Sequence, residues 1–152
     1  MAVPIRIDVS PPKRYIGEVF FVGRNAGFGK CDDHYSVVLL PDVGDDCLVL
    51  GVITSQVEKR VSAARASGFA EESVVRISPC EYRELKKESA IDCNSVKRMT
   101  RTFFDTISSH ARKCMPLPKS VCLRLLDGIA ASDNNSASLR QLAHSMKMAL
   151  AS

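Results

Sequence analysis

Residues 15–22 are almost all aromatic or β-branched, with Gly17 and Glu18 as the interruptions, and that density predicts a strand. Residues 35–40 repeat the signal. Residues 47–53 are apolar almost throughout, the pattern of a strand buried on both faces. Between them, Pro41-Asp42-Val43-Gly44-Asp45-Asp46 is turn chemistry: proline fixes φ, glycine supplies positive φ, and aspartates close local hydrogen bonds. Further short strands are expected at 73–77 and 89–92. Residues 23–34 read as a glycine-containing loop. Residues 56–72 read as a mobile loop with one helical turn, because Val57, Val61 and Ala64 have helical spacing but Ser67-Gly68 interrupts it. Short strands separated by turns, without alternating helices, predict a small barrel rather than a βαβ sheet.

The last third changes period. Phe103, Phe104, Ile107 and Ala111 share one helical face, and Pro116 and Pro118 end that helix. Pro118 suits the first turn of the next, whose stripe is Val121, Leu125 and Ile129. Ser136 is a plausible N-cap for a third helix carrying Leu139, Leu142, Met146 and Leu150. The organisation expected is a polar, proline-bearing lead-in (1–14), a barrel domain with helices (15–131), and an extra C-terminal helix of the same domain (132–152).

A chain of 152 residues and 16.6 kDa forms one ordinary domain, and 45% hydrophobic with 25% charged residues excludes wholesale disorder. The net charge of +4 is compatible with a polyanionic partner but does not require one. The apolar run at 47–53 is far short of the roughly twenty residues needed to cross a bilayer, so no membrane span is expected. The opening Met1-Ala-Val-Pro-Ile-Arg has no apolar core followed by a cleavage site, so no secretory signal is expected. The six cysteines are accordingly read as reduced thiols in a cytosol, several of them behaving as small hydrophobes.

Four segments stand in a suggestive order. They are Gly17-Glu18-Val19, His34-Tyr35-Ser36-Val37-Val38, Val52-Ile53-Thr54-Ser55, and the stretch from Lys87 to Thr100. In order and spacing they resemble the MazF/PemK/Kid toxins, over about residues 15–131. The resemblance implies a mainly β fold with α: a small SH3-like barrel of about five to seven strands with C-terminal helices. It also implies a cytoplasmic homodimer whose groove binds single-stranded RNA, a possible antitoxin protein that occupies the groove, and endoribonuclease activity needing neither metal nor cofactor. In that chemistry the ribose 2′-OH attacks the adjacent phosphate. Thr54 and Ser55 match the family's Thr-Ser element. Lys97 sits at the position of its catalytic Arg, Thr100 at that of its Asp, and His34 where many members have an Arg. The chain departs from the family's Arg-Thr-Ile-Asp by reading Lys97-Arg98-Met99-Thr100.

The reaction needs a base for the 2′-OH proton, positive charge for the phosphorane, and an acid for the leaving oxygen. Thr100 cannot act as a carboxylate base at neutral pH, whereas an imidazole such as His34 can serve as base or acid. Lys97 or Arg98 would stabilise the phosphate, without a bidentate fork in the case of lysine. Thr54 and Ser55 would position it, and Arg24, Arg98 and Arg101 would add RNA contacts. The alternative reading is a non-catalytic RNA- or protein-binding module of the same fold. Cys31 and His34 stand three apart, yet no second ligand pair follows at zinc spacing. The loop ending in Lys30 fails the Walker spacing because Cys31 follows the lysine.

Overall fold

The computed structural model describes residues 14–23 and 33–152, so Arg24 and Cys31 lie outside the described residues. The described chain runs β1 (Val19–Val22), β2 (His34–Leu40), β3 (Cys47–Thr54), α1 (Val57–Ala66), β4 (Val74–Ile77), β5 (Ser89–Asp92), β6 (Lys97–Thr100), α2 (Arg101–Ser108), β7 (Arg112–Lys113), α3 (Lys119–Ala131) and α4 (Ala137–Ala151). The strands form one antiparallel sheet in the order β4-β5-β3-β2-β1-β7, with β6 also on β3. This is the β-plus-helix class expected. The order ends at β4 and β7, which do not pair with each other, so the sheet is not closed by strand pairing among the described residues.

Period-2 alternation decides which face each side chain takes. Val37 and Leu39 of β2 and Val49 and Ile53 of β3 join Val121, Leu125 and Ile129 of α3 in the main core. The helix α4 stacks on α3 from outside through Ala143, with Leu139, Leu142, Met146 and Leu150 partly buried against the same core. On the opposite face, Phe20, Val38, Leu48 and Leu50 pack under Phe104 of α2. The rings of Phe20 and Phe104 meet edge to face at 5.4 Å. Arg14 closes this end: its guanidinium lies 5.0 Å from the Phe104 ring and donates to Asp105 Oδ1 at 2.7 Å. At the other end of the same face, α1 covers Val74 and Ala90 with Val57, Val61 and Ala64.

Two expectations are corrected by these elements. Residues 57–66 are a ten-residue helix, not a single turn in a mobile loop. Ser67-Gly68 is its stop signal, with Gly68 at φ +76° and the Phe69 N–H returning to the Ala64 carbonyl at 2.9 Å. The first strand begins at Val19 rather than residue 15, because Gly17 turns the chain at φ +88° against Cys122. The turn at 42–46 behaves as its composition predicts: Gly44 has φ +87° and its N–H donates to Asp42 Oδ1.

One irregularity shapes everything near the candidate site. Both β5 and β6 pair antiparallel with β3, Ile91 opposite Ile53 and Lys97 opposite Leu50. So β3 advances three positions (53 to 50) while its partner advances six (91 to 97), and the surplus of three residues loops out within 93–96. Such a bulge bends and twists the sheet. Its tip is held by buried polar groups: Asn94 Nδ2 donates to Ser73 Oγ at 2.8 Å, and Ser132 Oγ donates to Asn94 Oδ1 at 2.5 Å. The loop between α3 and α4 adds Asn134 Nδ2 to the Asn94 carbonyl at 2.6 Å and Asn135 Nδ2 to the Cys93 carbonyl at 3.0 Å.

Cys47, Cys80, Cys93, Cys114 and Cys122 are free thiols. Burial pushes the Cys93 thiol up to about 12 and Cys122 up to about 11, from an ordinary value of 9.0. A folded value above the unfolded one stabilises the fold fully below pH 9 and loses that contribution as pH rises through 11 to 12. The urea midpoint is therefore expected to decline from about pH 9 upward. In native protein at pH 8, a thiol reagent is expected to modify exposed Cys80 and to reach Cys93 and Cys122 only on unfolding. Rapid native labelling of Cys93, read by peptide mass spectrometry, would contradict the burial argument.

Candidate functional site

Between α1 and α2 no other helix among the described residues covers the sheet face, and the strand alternation delivers the candidate residues there. His34 and Ser36 of β2 stand on the same face as Val38, and Leu50 and Val52 of β3 stand beside Leu48. Lys97 and Met99 of β6 complete the wall next to α2. The result is a narrow cavity of about 70 Å³ in which His34, Ser36 and Lys97 are the polar lining and the remainder is apolar. Two residues 63 positions apart in sequence (97 − 34) thus share one pocket. The strand register is the reason: Ser36 faces Val52 across one edge of β3, and Lys97 faces Leu50 across the other.

Lys97 is exposed and enters no ion pair among the described residues. Its ammonium is a strongly hydrated point charge on a flexible stem, suited to a phosphate and less suited to bidentate clamping. Ser36 is buried and lines the cavity. It was missed by the sequence reading, although its place two residues after His34 on a strand puts it on the same face.

The trough continues past Val52 toward α1. There Thr54 lines a smaller pocket with Arg60, Asp92 and Ser95, and Arg60 pairs with Asp92 at 3.9 Å. The Thr54 hydroxyl accepts from the Gln56 N–H at 3.1 Å, which closes the turn into α1 and leaves its own proton available to donate. Ser55 points elsewhere, into a pocket that it shares with His34 at the end of β2.

Three other candidates are not brought to the trough. Thr100 is the N-cap of α2, its hydroxyl accepting from the Phe103 N–H at 3.2 Å. Arg98 lies at the turn between β2 and β3, 3.5 Å from the Val43 carbonyl and 3.9 Å from Asp45. Arg101 sits beside Asp46 at 4.0 Å, its backbone N–H donating to the Asp46 carbonyl. Both arginines thus stand beside the acidic turn residues rather than on the cavity wall.

The trough holds what acid–base chemistry on a phosphodiester requires in kind: an imidazole, a cation and hydroxyl donors. No helix among the described residues is long and apolar enough to cross a membrane. No family model matches the chain, and no curated protein matches its sequence.

Proposed function

We propose that this protein is a MazF/PemK-like, metal-independent endoribonuclease that cleaves single-stranded RNA with a rebuilt active site. The observation that carries the reading is the shared pocket of His34 and Lys97 on the sheet face between α1 and α2. The sheet is read as an SH3-like barrel bent at the 93–96 bulge, with β3 serving β2 on one edge and β5 and β6 in succession on the other. His34 takes the 2′-OH proton or protonates the leaving 5′ oxygen, Lys97 stabilises the phosphorane charge, and Ser36 and Thr54 position the backbone. The protein works in the cytoplasm as a homodimer, and an acidic antitoxin segment competes with RNA for the trough.

The alternative is a non-catalytic RNA- or protein-binding module, and one observation favours it. The cavity wall is mostly apolar, with Val22, Leu50, Met99 and Ile107 around the polar groups, as in a pocket that receives a side chain. The experiment that separates the two is incubation of mixed-sequence single-stranded RNA with the protein in EDTA, with mass spectrometry of the product ends. Discrete 2′,3′-cyclic phosphate ends are expected. Intact RNA at high protein concentration would overturn the enzyme reading and leave the module.

A further inference from the structure

His34 belongs to two pockets. One is the trough. The other lies around the end of β2 on the far side of the sheet rim, under the 78–88 loop, with a volume of about 250 Å³. Its wall carries Phe21 and Tyr35, whose rings tilt against each other at 5.0 Å, together with Ser55 and Ser89, the Ser89 hydroxyl donating to the Lys87 carbonyl at 3.1 Å. Lys86 and Lys87 stand on its rim.

The pocket is preformed. Tyr82 and Leu85 anchor the loop in the core, and the Tyr82 hydroxyl donates to the Met115 carbonyl at 2.7 Å. The Tyr35 hydroxyl donates to the Glu84 carbonyl at 3.4 Å. A loop fixed in this way loses little freedom on binding. The pocket also has acidic lining, Asp33 and Glu84, and the Glu84 carboxylate is met by Arg112 at 3.4 Å. Neither Lys86 nor Lys87 enters an ion pair among the described residues.

We infer that this pocket is a nucleotide subsite, receiving the base next to the phosphate held in the trough while Lys86 and Lys87 hold that nucleotide's own phosphate. Three features select this ligand over a simple anion. The volume is below the range of pockets built for larger ligands and suits one ring system. Aromatic walls accept an unstacked base, and mixed donors and acceptors match a base edge better than a bare anion. His34 lines both pockets, so one RNA strand passing around the sheet rim would meet both. The inference rests on the trough reading, and it adds that the shortest good ligand is longer than the reacting dinucleotide.

The test is fluorescence anisotropy with a labelled single-stranded hexaribonucleotide in EDTA, using a 2′-deoxy residue at any cleavable position. Wild type, Lys86→Ala/Lys87→Ala, Lys97→Ala and a control, Lys119→Ala/Lys147→Ala, are compared, and an abasic residue is walked along the hexamer. The lysine pair at the pocket is expected to weaken binding about tenfold, and the control pair, which removes equal charge, less than twofold. One abasic position is expected to weaken wild type about tenfold and to add nothing in Lys86→Ala/Lys87→Ala. If Lys97→Ala weakens binding while Lys86→Ala/Lys87→Ala matches the control pair, the subsite is overturned and the trough reading stands. Abasic losses of equal size in wild type and Lys86→Ala/Lys87→Ala would also overturn the base pocket, reducing the lysines to general charge. If only Lys97→Ala is silent, the trough reading falls and the lysine pocket remains an RNA site. Absence of binding by wild type up to millimolar protein overturns both.

Discussion

Asn94→Ala is expected to lower the unfolding free energy by about 2–4 kcal/mol, read as a fall in the urea midpoint at unchanged slope. The side chain is buried and links three parts of the chain. It donates to Ser73 Oγ at 2.8 Å and Asp92 Oδ1 at 2.9 Å and accepts from Ser132 Oγ. Alanine removes all of these: the fully buried Ser73 hydroxyl keeps its bond to the Ala70 carbonyl, whereas the Ser132 hydroxyl keeps only the Asn134 N–H and loses its acceptor. Stranding that one buried donor costs about 1–3 kcal/mol and losing the bonds to Ser73 and Asp92 adds about 1 kcal/mol, which sets the range. The Asn94 carbonyl keeps its bond from Asn134, so the bulge loosens rather than disappears. A loss below about 0.5 kcal/mol would show that water replaces the side chain and that the network is not buried as described. Ser132→Ala in the Asn94→Ala background is expected to cost much less than Ser132→Ala alone, because the hydroxyl has already lost its acceptor.

The same network explains why part of this molecule was legible in the sequence and part was not. Strands β2, β3 and β5 and helices α3 and α4 announce themselves by local pattern: β-branched runs, apolar stripes, a Ser136 cap whose hydroxyl accepts from the Leu139 N–H. Long-range pairing has no such local signature. Nothing in Lys97 to Thr100 taken alone shows that β3 would accept it as a second partner beyond β5, or that Asn94 and Ser132, 38 residues apart, meet in the interior. The two-residue β7 escaped for a similar reason, since Arg112 and Lys113 are exposed and join the sheet only through Phe20 and Phe21. The candidate site divides in the same way. His34 and Lys97 could be named from residue chemistry and resemblance, and the register then brings them to one cavity. Thr100 could be named only by alignment to a motif, and its hydroxyl is engaged in starting a helix.

That division yields the sharpest functional contrast, between His34, Lys97 and Thr100. In the proposed ribonuclease, His34→Ala removes the acid–base group, and cleavage is expected to fall about 10²–10⁴-fold, leaving a rate that varies little with pH. Lys97→Ala removes the lysine that lines the cavity and is expected to cost about 10²–10³-fold in kcat/KM, through a raised KM as well as a lowered kcat, because the ammonium holds the bound phosphate and also meets the phosphorane charge. Thr100→Ala should behave differently. It deletes a helix cap, so roughly 1 kcal/mol of stability is expected to go while the cleavage rate stays within about threefold of wild type. Thr100→Asp should preserve the cap, because aspartate serves that position as well as threonine does. If alignment alone governed the chemistry, restoring the family's carboxylate there would accelerate cleavage; the geometry expects no gain, since the side chain at 100 caps α2 and does not line the cavity. A large rate increase in Thr100→Asp, or a His34→Ala protein that cleaves like wild type, would move the acid–base role from β2 to the start of α2. The trough between α1 and α2 would then be a binding surface, with catalysis at its edge.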